Sequence, residues 1–337
     1  MKVVRADREI ELPAVDAALR ARGGNLILLP DTVSEDELEA ALSDADLLLT
    51  CYARITARVI GGARKLKGIV KYGVGIDAID IDAARSRGIP VVNVPDYADE
   101  TVAEGAFALL IALAKRLRPL QKAMDARGWV WPTSDWLAGD IAGKTLGLVG
   151  VGRIGRNMAR MAGQGFRARV LGFDPHVDAA AMAAAGVDKR DSLHAMLAEC
   201  DFVSVHCVLA PQTRHLIDAA ALACMRPHAF LVNVSRGAIV DEAALVRVLQ
   251  EGRIAGAGLD VFSTEPLAKG GHPMSALYAM DNVILSPHLT FYTREAMARL
   301  EVETLARCVE VLDGGPVLVK SRDPRLRAQT IGVRFAD

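Results

Sequence analysis

Short apolar runs of β type alternate with helical patterns along the chain, twice over, and that alternation constrains the fold more than any other feature. In the first hundred residues the runs are KVVR, NLILLP, ADLLLT, KGIVKYG and IPVVNVP, with helical segments between them. One helix falls around Leu12 to Arg22, and the next is opened by Ser34 with Glu37 three residues on, a capping box. A second series begins at Thr145: TLGLVG, ARVLGFD, DFVSVH, AFLVNVS, IAGAGLDVF and NVILSPH. Strands that alternate with helices build parallel sheets covered by helices. Two such series in 337 residues predict two doubly wound α/β domains. A long helical pattern runs between them from Asp99 to about Ala126, and a last one from about Thr293 to Leu312. The intervening RGWVWPTSDWLAGDIAGKT, with Trp129, Trp131 and Trp136, reads as a loop.

Composition narrows the function classes. Hydrophobic residues make up 51% of the chain and the net charge is -1, so a large core is available and no basic stripe points to nucleic acid or a membrane surface. The longest apolar run, Ala106 to Ala114, is too short for a bilayer, which needs about 20 residues, and reads as a buried or interface helix. MKVVRADREI has no apolar core of signal-peptide length. Five scattered cysteines without a CxxC pair support neither a disulfide framework nor a zinc site, and no metal is expected. A reducing cytoplasm suits them.

The segment TLGLVGVGRIGRNMAR places Gly150-x-Gly152-x-x-Gly155 between a strand and an amphipathic helix. The next strand ends in Asp174, nineteen residues after Gly155. Glycines alone are a weak signal, but the strand–loop–helix–strand–Asp unit is a dinucleotide fingerprint. Gly150 permits the tight turn, Gly152 the approach of a pyrophosphate, and Gly155 close packing of the helix. The helix N-terminus offers N–H groups to the phosphates. Asp174 accepts ribose hydroxyls and repels a 2′-phosphate, and no Arg or Lys follows it in FDPHVD, so NAD is expected rather than NADP.

Three further strand ends bring candidate chemistry to the same sheet edge, where ligands of such folds bind. Arg236 follows the strand in VNVSRGAIVDE, Asp260 and Glu265 stand in GLDVFSTEP, and His288 follows the strand in ILSPHLTFYT. A hydride delivered to a carbonyl carbon leaves negative charge on oxygen, which needs a proton donor and a cation. His288 suits the donor's part, Glu265 can orient its ring, and Arg236 can hold a carboxylate or polarise the carbonyl. Asp260, nearer its strand, suits the carboxamide of the nicotinamide. Singly, each of these residues also suits a solvated loop; behind a dinucleotide loop they form a set. In the first series, Gly73 and Gly75 bracket Val74 in a turn whose N–H groups can grip a carboxylate, though a plain tight turn has the same pattern.

KYGVGIDAIDIDAARSRGIPVVNVPDYADETVAEGAFALL, GKTLGLVGVGRIG, LVNVSRGAIVDEAALVRVLQEGRIAGAGLDVFSTEP and SPHLTFYT together resemble the D-isomer-specific 2-hydroxyacid dehydrogenase family over essentially the whole length. YGVGID, NVPDY and SPHLTFYT are most similar to the branch that also holds the C-terminal-binding-protein corepressors. The resemblance implies a Rossmann NAD-binding domain, residues 101–288, inserted into a flavodoxin-like substrate domain, residues 1–100 plus 289–337. It implies Arg236, Glu265 and His288 as the catalytic set, with Val74, Gly75 and Arg236 on the substrate carboxylate. It implies NAD contacts at Gly150, Gly152, Arg153, Ile154, Gly155, Asp174, Val234, Ser235 and Asp260, with Cys207 and Thr213 near the adenosine. A homodimer is implied too, with the Trp129 to Asp140 loop reaching toward the partner. Two departures stand out. Cys207-Val208-Leu209-Ala210 replaces the family's common x-Pro-Leu-Thr after His206, and Leu289-Thr290-Phe291-Tyr292 puts bulk where many members have small residues.

The expected activity is NAD-dependent interconversion of a small 2-keto acid and its D-2-hydroxy acid, of glyoxylate or hydroxypyruvate type. Two alternatives stand beside it. One is 3-phosphoglycerate oxidation, for which Arg54 is one candidate phosphate cation. The other is an NAD-sensing, corepressor-like binding protein, against which the intact Arg236, Glu265 and His288 argue.

Overall fold

The computed structural model describes residues 1–30 and 32–336. They divide into two compact units, one of Met1–Ala98 with Thr293–Asp337 and one of Asp99–Tyr292.

The first unit holds five parallel strands: β1 (Lys2–Arg5), β2 (Asn25–Leu28), β3 (Leu47–Thr50), β4 (Gly68–Lys71) and β5 (Val91–Asn93). Their order is β2-β1-β3-β4-β5, the flavodoxin-like arrangement. β3, β4 and β5 are buried along their whole length. A parallel strand covered on both faces reads as a continuous apolar run, which is why LLLT and GIVK show no alternation. The Ser34 capping box is present at helix Glu35–Leu42, where the Glu37 carboxylate accepts the Ser34 N–H at 2.9 Å. The C-terminal segment returns to this unit through Gln329, whose Oε1 accepts the Val91 N–H at 2.7 Å while Nε2 donates to the Val91 carbonyl at 2.9 Å. Helix Arg294–Leu312 is capped by the Thr293 hydroxyl, which accepts the Ala296 N–H. Two short strands after it, Val317–Val319 and Val333–Phe335, pair in parallel.

The second unit holds β6 (Thr145–Val149), β7 (Arg169–Phe173), β8 (Asp188–Lys189), β9 (Phe202–Val205), β10 (Phe230–Asn233), β11 (Gly256–Leu259) and β12 (Val283–Leu285). All pair in parallel, in the order β12-β11-β10-β9-β6-β7-β8. The order reverses between β6 and β9, the switch point at which doubly wound sheets bind ligands. Helix Asp99–Ala114, which contains the long apolar run, buries Phe107, Leu110 and Leu113 against this sheet. Gly258 of β11 lets it come close, since a side chain there would stand 3.1 Å from Leu109 Cβ.

One helical expectation is corrected. The pattern from Asp99 to about Ala126 forms two helices, Asp99–Ala114 and Leu117–Arg127, separated at Arg116, whose φ is 53°. Pro119 accounts for the break. Inside a continuous helix its ring would meet the carbonyl four residues back and it has no N–H to give. In the first turn of a new helix neither matters. No helix among the described residues is long and apolar enough to cross a membrane.

Candidate active site

The glycine loop connects β6 to helix Arg153–Arg160. Gly150 has a φ of 95°, and a Cβ there would lie 2.5 Å from the Cys207 nitrogen. A Cβ on Gly155 would lie 2.4 Å from the Gly150 oxygen. Packing within the protein demands both glycines. Gly152 differs: it is the helix N-cap, and a Cβ there would meet nothing within 4 Å. No contact among the described residues requires that glycine, and its open surroundings leave the backbone accessible to a ligand. Asp174, just beyond β7, is tied to the same loop. Its Oδ2 accepts the Val151 N–H and its Oδ1 the His176 N–H, each at 2.9 Å, and each oxygen keeps capacity for a hydroxyl donor. Arg153 Nε meets Asp99 at 2.7 Å, and Ile154 beside it is half-buried. A bare helix N-terminus next to a ribose-type acceptor fits a dinucleotide.

The ends of β9 and β10 gather beside this loop. His206 is half-buried, with Nε2 2.9 Å from Ser204 Oγ, and desolvation of its ring pushes its pKa down to about 4. It is neutral near pH 7 and offers no acidic proton there. Burial also pushes the Cys207 thiol up to about 12, so it stays protonated. Ser235 Oγ donates to the Cys207 carbonyl, and Val234 is buried behind it. Thr213 closes the following loop, accepting the Ala210 N–H at 2.8 Å and donating to the Val208 carbonyl at 2.6 Å.

Arg236, Glu265 and His288 follow β10, β11 and β12 and stand together. Asn233, the last residue of β10, builds the turn that carries the arginine: Oδ1 accepts the Ser235 N–H at 3.1 Å and Nδ2 donates to the Arg236 carbonyl at 3.0 Å. At Gly237 two loops cross, and a Cβ there would lie 2.1 Å from the Phe262 carbonyl carbon. That crossing sets Arg236 beside the loop of Glu265. Glu265 Oε1 accepts the Phe262 N–H at 2.8 Å, and Oε2 lies 2.8 Å from His288 Nδ1. Burial raises the Glu265 pKa, but the hydrogen bond and charge of His288, the Phe262 amide and the Arg236 charge outweigh it and bring the carboxyl below its ordinary value. The carboxylate is therefore ionised at neutral pH and accepts from His288 Nδ1–H. The ring also meets Phe291 edge-on at 6.3 Å.

Asp260, expected on the nicotinamide carboxamide, is fully buried and turns its carboxylate to the loop after His288. Oδ1 accepts the Leu289 N–H at 3.0 Å, and Oδ2 accepts the Thr290 N–H at 3.1 Å and hydroxyl at 2.6 Å. Val74 and Gly75 lie in the first unit, in the turn after β4, where Asn93 Nδ2 donates to the Val74 carbonyl at 2.6 Å. Arg54 lines a cavity of the first unit with Glu35, Tyr52 and Thr56. Among the described residues no group of three or more His, Cys, Asp or Glu gathers as a metal site. Reading the sequence missed Asn233, Gly237 and Thr290. The one available signal was a glycine directly after the candidate arginine.

A family model described as the D-isomer specific 2-hydroxyacid dehydrogenase, NAD binding domain, matches residues 107–290. The chain is 40% identical over 270 residues to the D-3-phosphoglycerate dehydrogenase of Mycobacterium bovis, covering 80% of this chain but 49% of that protein. It thus spans about half the length of that relative. It is 38% identical over 282 residues to the glyoxylate reductase of Pyrococcus furiosus, covering 81% of this chain and 82% of that one. A solved structure of the D-lactate dehydrogenase of Aquifex aeolicus, complexed with NAD and lactic acid, superposes with a TM-score of 0.83 at 28% identity, over 93% of this chain and 96% of that one.

Proposed function

The chain belongs to the D-isomer-specific 2-hydroxyacid dehydrogenase family, and its second unit carries that family's NAD-binding domain; from this premise we propose that it interconverts a small 2-keto acid and its D-2-hydroxy acid. The observation that carries the proposal is the 2.8 Å contact of His288 Nδ1 with Glu265 Oε2, beside Arg236 and at the sheet edge that also holds the glycine loop.

The nicotinamide, when bound, supplies or accepts the hydride. Gly152 and the first turn of helix Arg153–Arg160 take the pyrophosphate, and Asp174 takes the adenosine ribose. The residues near Cys207, Thr213, Val234 and Ser235 complete the nucleotide contacts. Glu265 fixes His288 with Nδ1–H toward the carboxylate, so the proton passed to the substrate oxygen is the one on Nε2. In the reverse direction the same nitrogen accepts it. Arg236 holds the substrate carboxylate through its planar fork and offsets charge on the carbonyl oxygen. The family resemblance also assigns the amides of Val74 and Gly75 to a substrate carboxylate.

The substrate proposed is unphosphorylated, of glyoxylate or hydroxypyruvate type. One relative matched over most of its own length is named glyoxylate reductase. Arg54 shares its cavity with Glu35, whose charge opposes a phosphate. A homodimer in the cytoplasm belongs to the same reading. The dimer is supported by Trp129, Trp131 and Leu137, which expose 63%, 76% and 75% of their surface on one loop. The test is NADH consumption with glyoxylate, hydroxypyruvate, pyruvate, phenylpyruvate and phosphohydroxypyruvate. Turnover confined to phosphohydroxypyruvate would replace the substrate proposed. NADH binding with no turnover on any of the five would replace the enzyme by a binding protein.

A further inference from the structure

We infer that Asp260, Thr290 and Gly105 form a clasp that positions His288 for proton transfer, so that Asp260 acts on the reaction through the histidine; the inference rests on His288 being the acid/base of the proposed reaction. Three separate observations meet in it. His288 has a φ of 58°, in the left-handed region that side-chain-bearing residues rarely adopt. Such a backbone persists only where its surroundings impose it.

The surroundings are specific. Asp260 sits at the end of β11, anchored by its own N–H to the Asn233 carbonyl at 3.0 Å. Its carboxylate then takes three donors from the two residues that follow His288, the Leu289 and Thr290 amides and the Thr290 hydroxyl. A carboxylate offers about four acceptor positions, and this buried one has three in use on one loop. On the other side Thr290 presses against helix Asp99–Ala114 at Gly105. A Cβ on Gly105 would lie 2.6 Å from Thr290 Cβ and 2.8 Å from Cγ2. Thr290 is therefore pinned between a carboxylate and a bare stretch of helix. With the two residues after it fixed, the histidine is held in its left-handed conformation, and its ring is delivered to Glu265. Release of Thr290 lets His288 relax to an ordinary φ, which swings the ring away from the carboxylate.

Thr290→Val keeps shape and removes the hydroxyl, Thr290→Ser keeps the hydroxyl, and Asp260→Asn weakens all three bonds. Thr290→Val and Asp260→Asn are expected to lower kcat about tenfold to a hundredfold, the scale of a small misplacement of a catalytic group. The pH profile of kcat moves with it, while KM for the keto acid and Kd for NADH stay within about twofold. Thr290→Ser restores most of the loss, and circular dichroism checks that each variant is folded. A wild-type kcat and pH profile in Thr290→Val would overturn the clasp. So would weakened NADH binding with an unmoved profile in Asp260→Asn, which would assign Asp260 to the cofactor. NMR titration of the His288 ring in the wild type and Thr290→Val reads the clasp without turnover. Curves that differ support it even if no keto acid is reduced, and superimposable curves overturn it whatever the reaction.

Discussion

Replacing Glu265 by Gln isolates the charge that faces the histidine. The carboxylate now accepts two bonds, from Phe262 N–H through Oε1 and from His288 Nδ1 through Oε2, both at 2.8 Å. Glutamine has one acceptor oxygen. If that oxygen stays on Phe262, the NH2 group faces Nδ1 and forbids a proton there, so the imidazolium loses its partner. If it turns to His288, the Phe262 amide is left with an N–H against an N–H, and the loop opens. Either way one charge-assisted bond is lost. Such bonds contribute about 1.5–3 kcal/mol, which is about tenfold to a hundredfold in rate. Both side chains are less than a third exposed, so solvent does not erase the effect. The assay is steady-state NADH oxidation with the best keto acid at several pH values, alongside NADH binding by fluorescence. Reduction is expected to fall by that factor with NADH affinity unchanged. A variant that keeps its reduction rate within about twofold would refute the role given to the pair.

Asp174→Ala is expected to weaken NADH binding and relax discrimination against NADPH, measured by Kd for both; a wild-type preference for NADPH would contradict the cofactor assignment. Gly237→Ala forces a methyl into the space of the Phe262–Ser263 peptide. An overlap of that kind costs about 1–3 kcal/mol, a fall of several degrees in Tm by calorimetry, and it also separates Arg236 from Glu265 and lowers kcat/KM. Burial raises the pKa of Asp201, but the Thr145 amide, His228, Lys144 and Arg226 bring it below its ordinary value. Its stabilisation is present above the unfolded carboxylate pKa and is lost as pH falls through the lower folded value. Thermal melts from about pH 7 to about pH 3 should therefore show a steeper acid decline in the wild type than in Asp201→Asn, and parallel curves would dismiss the contribution.

Much of this was written locally in the chain. The parallel strands announce themselves as apolar runs, and the glycine loop states its own neighbours, because strand, turn and helix are consecutive. The inserted arrangement was legible only through family resemblance. Its physical cause is a contact such as Gln329 with Val91, 238 residues apart, which no local pattern encodes. Pro119 did signal the helix break at Arg116, but the apolar periodicity ran past it. Within the candidate site, Arg236, Glu265 and His288 stand out by residue type at strand ends, and the fold brings them near one another. The bonds that Asp260 makes are not legible in the sequence, because its partners, Leu289 and Thr290, lie about thirty positions on and contribute mostly backbone donors, which carry no sequence signature. The same holds for Gly237, whose constraint is a peptide from another loop.

The central claim is that His288, held by Glu265, moves the proton while other residues hold the cofactor. His288→Gln tests it most directly, with keto-acid reduction and NADH affinity measured on the same preparation. Reduction should fall by at least about a hundredfold, the scale of a lost general acid, with Kd for NADH within about twofold of the wild type. Turnover that survives the substitution at near wild-type rate would contradict the assignment.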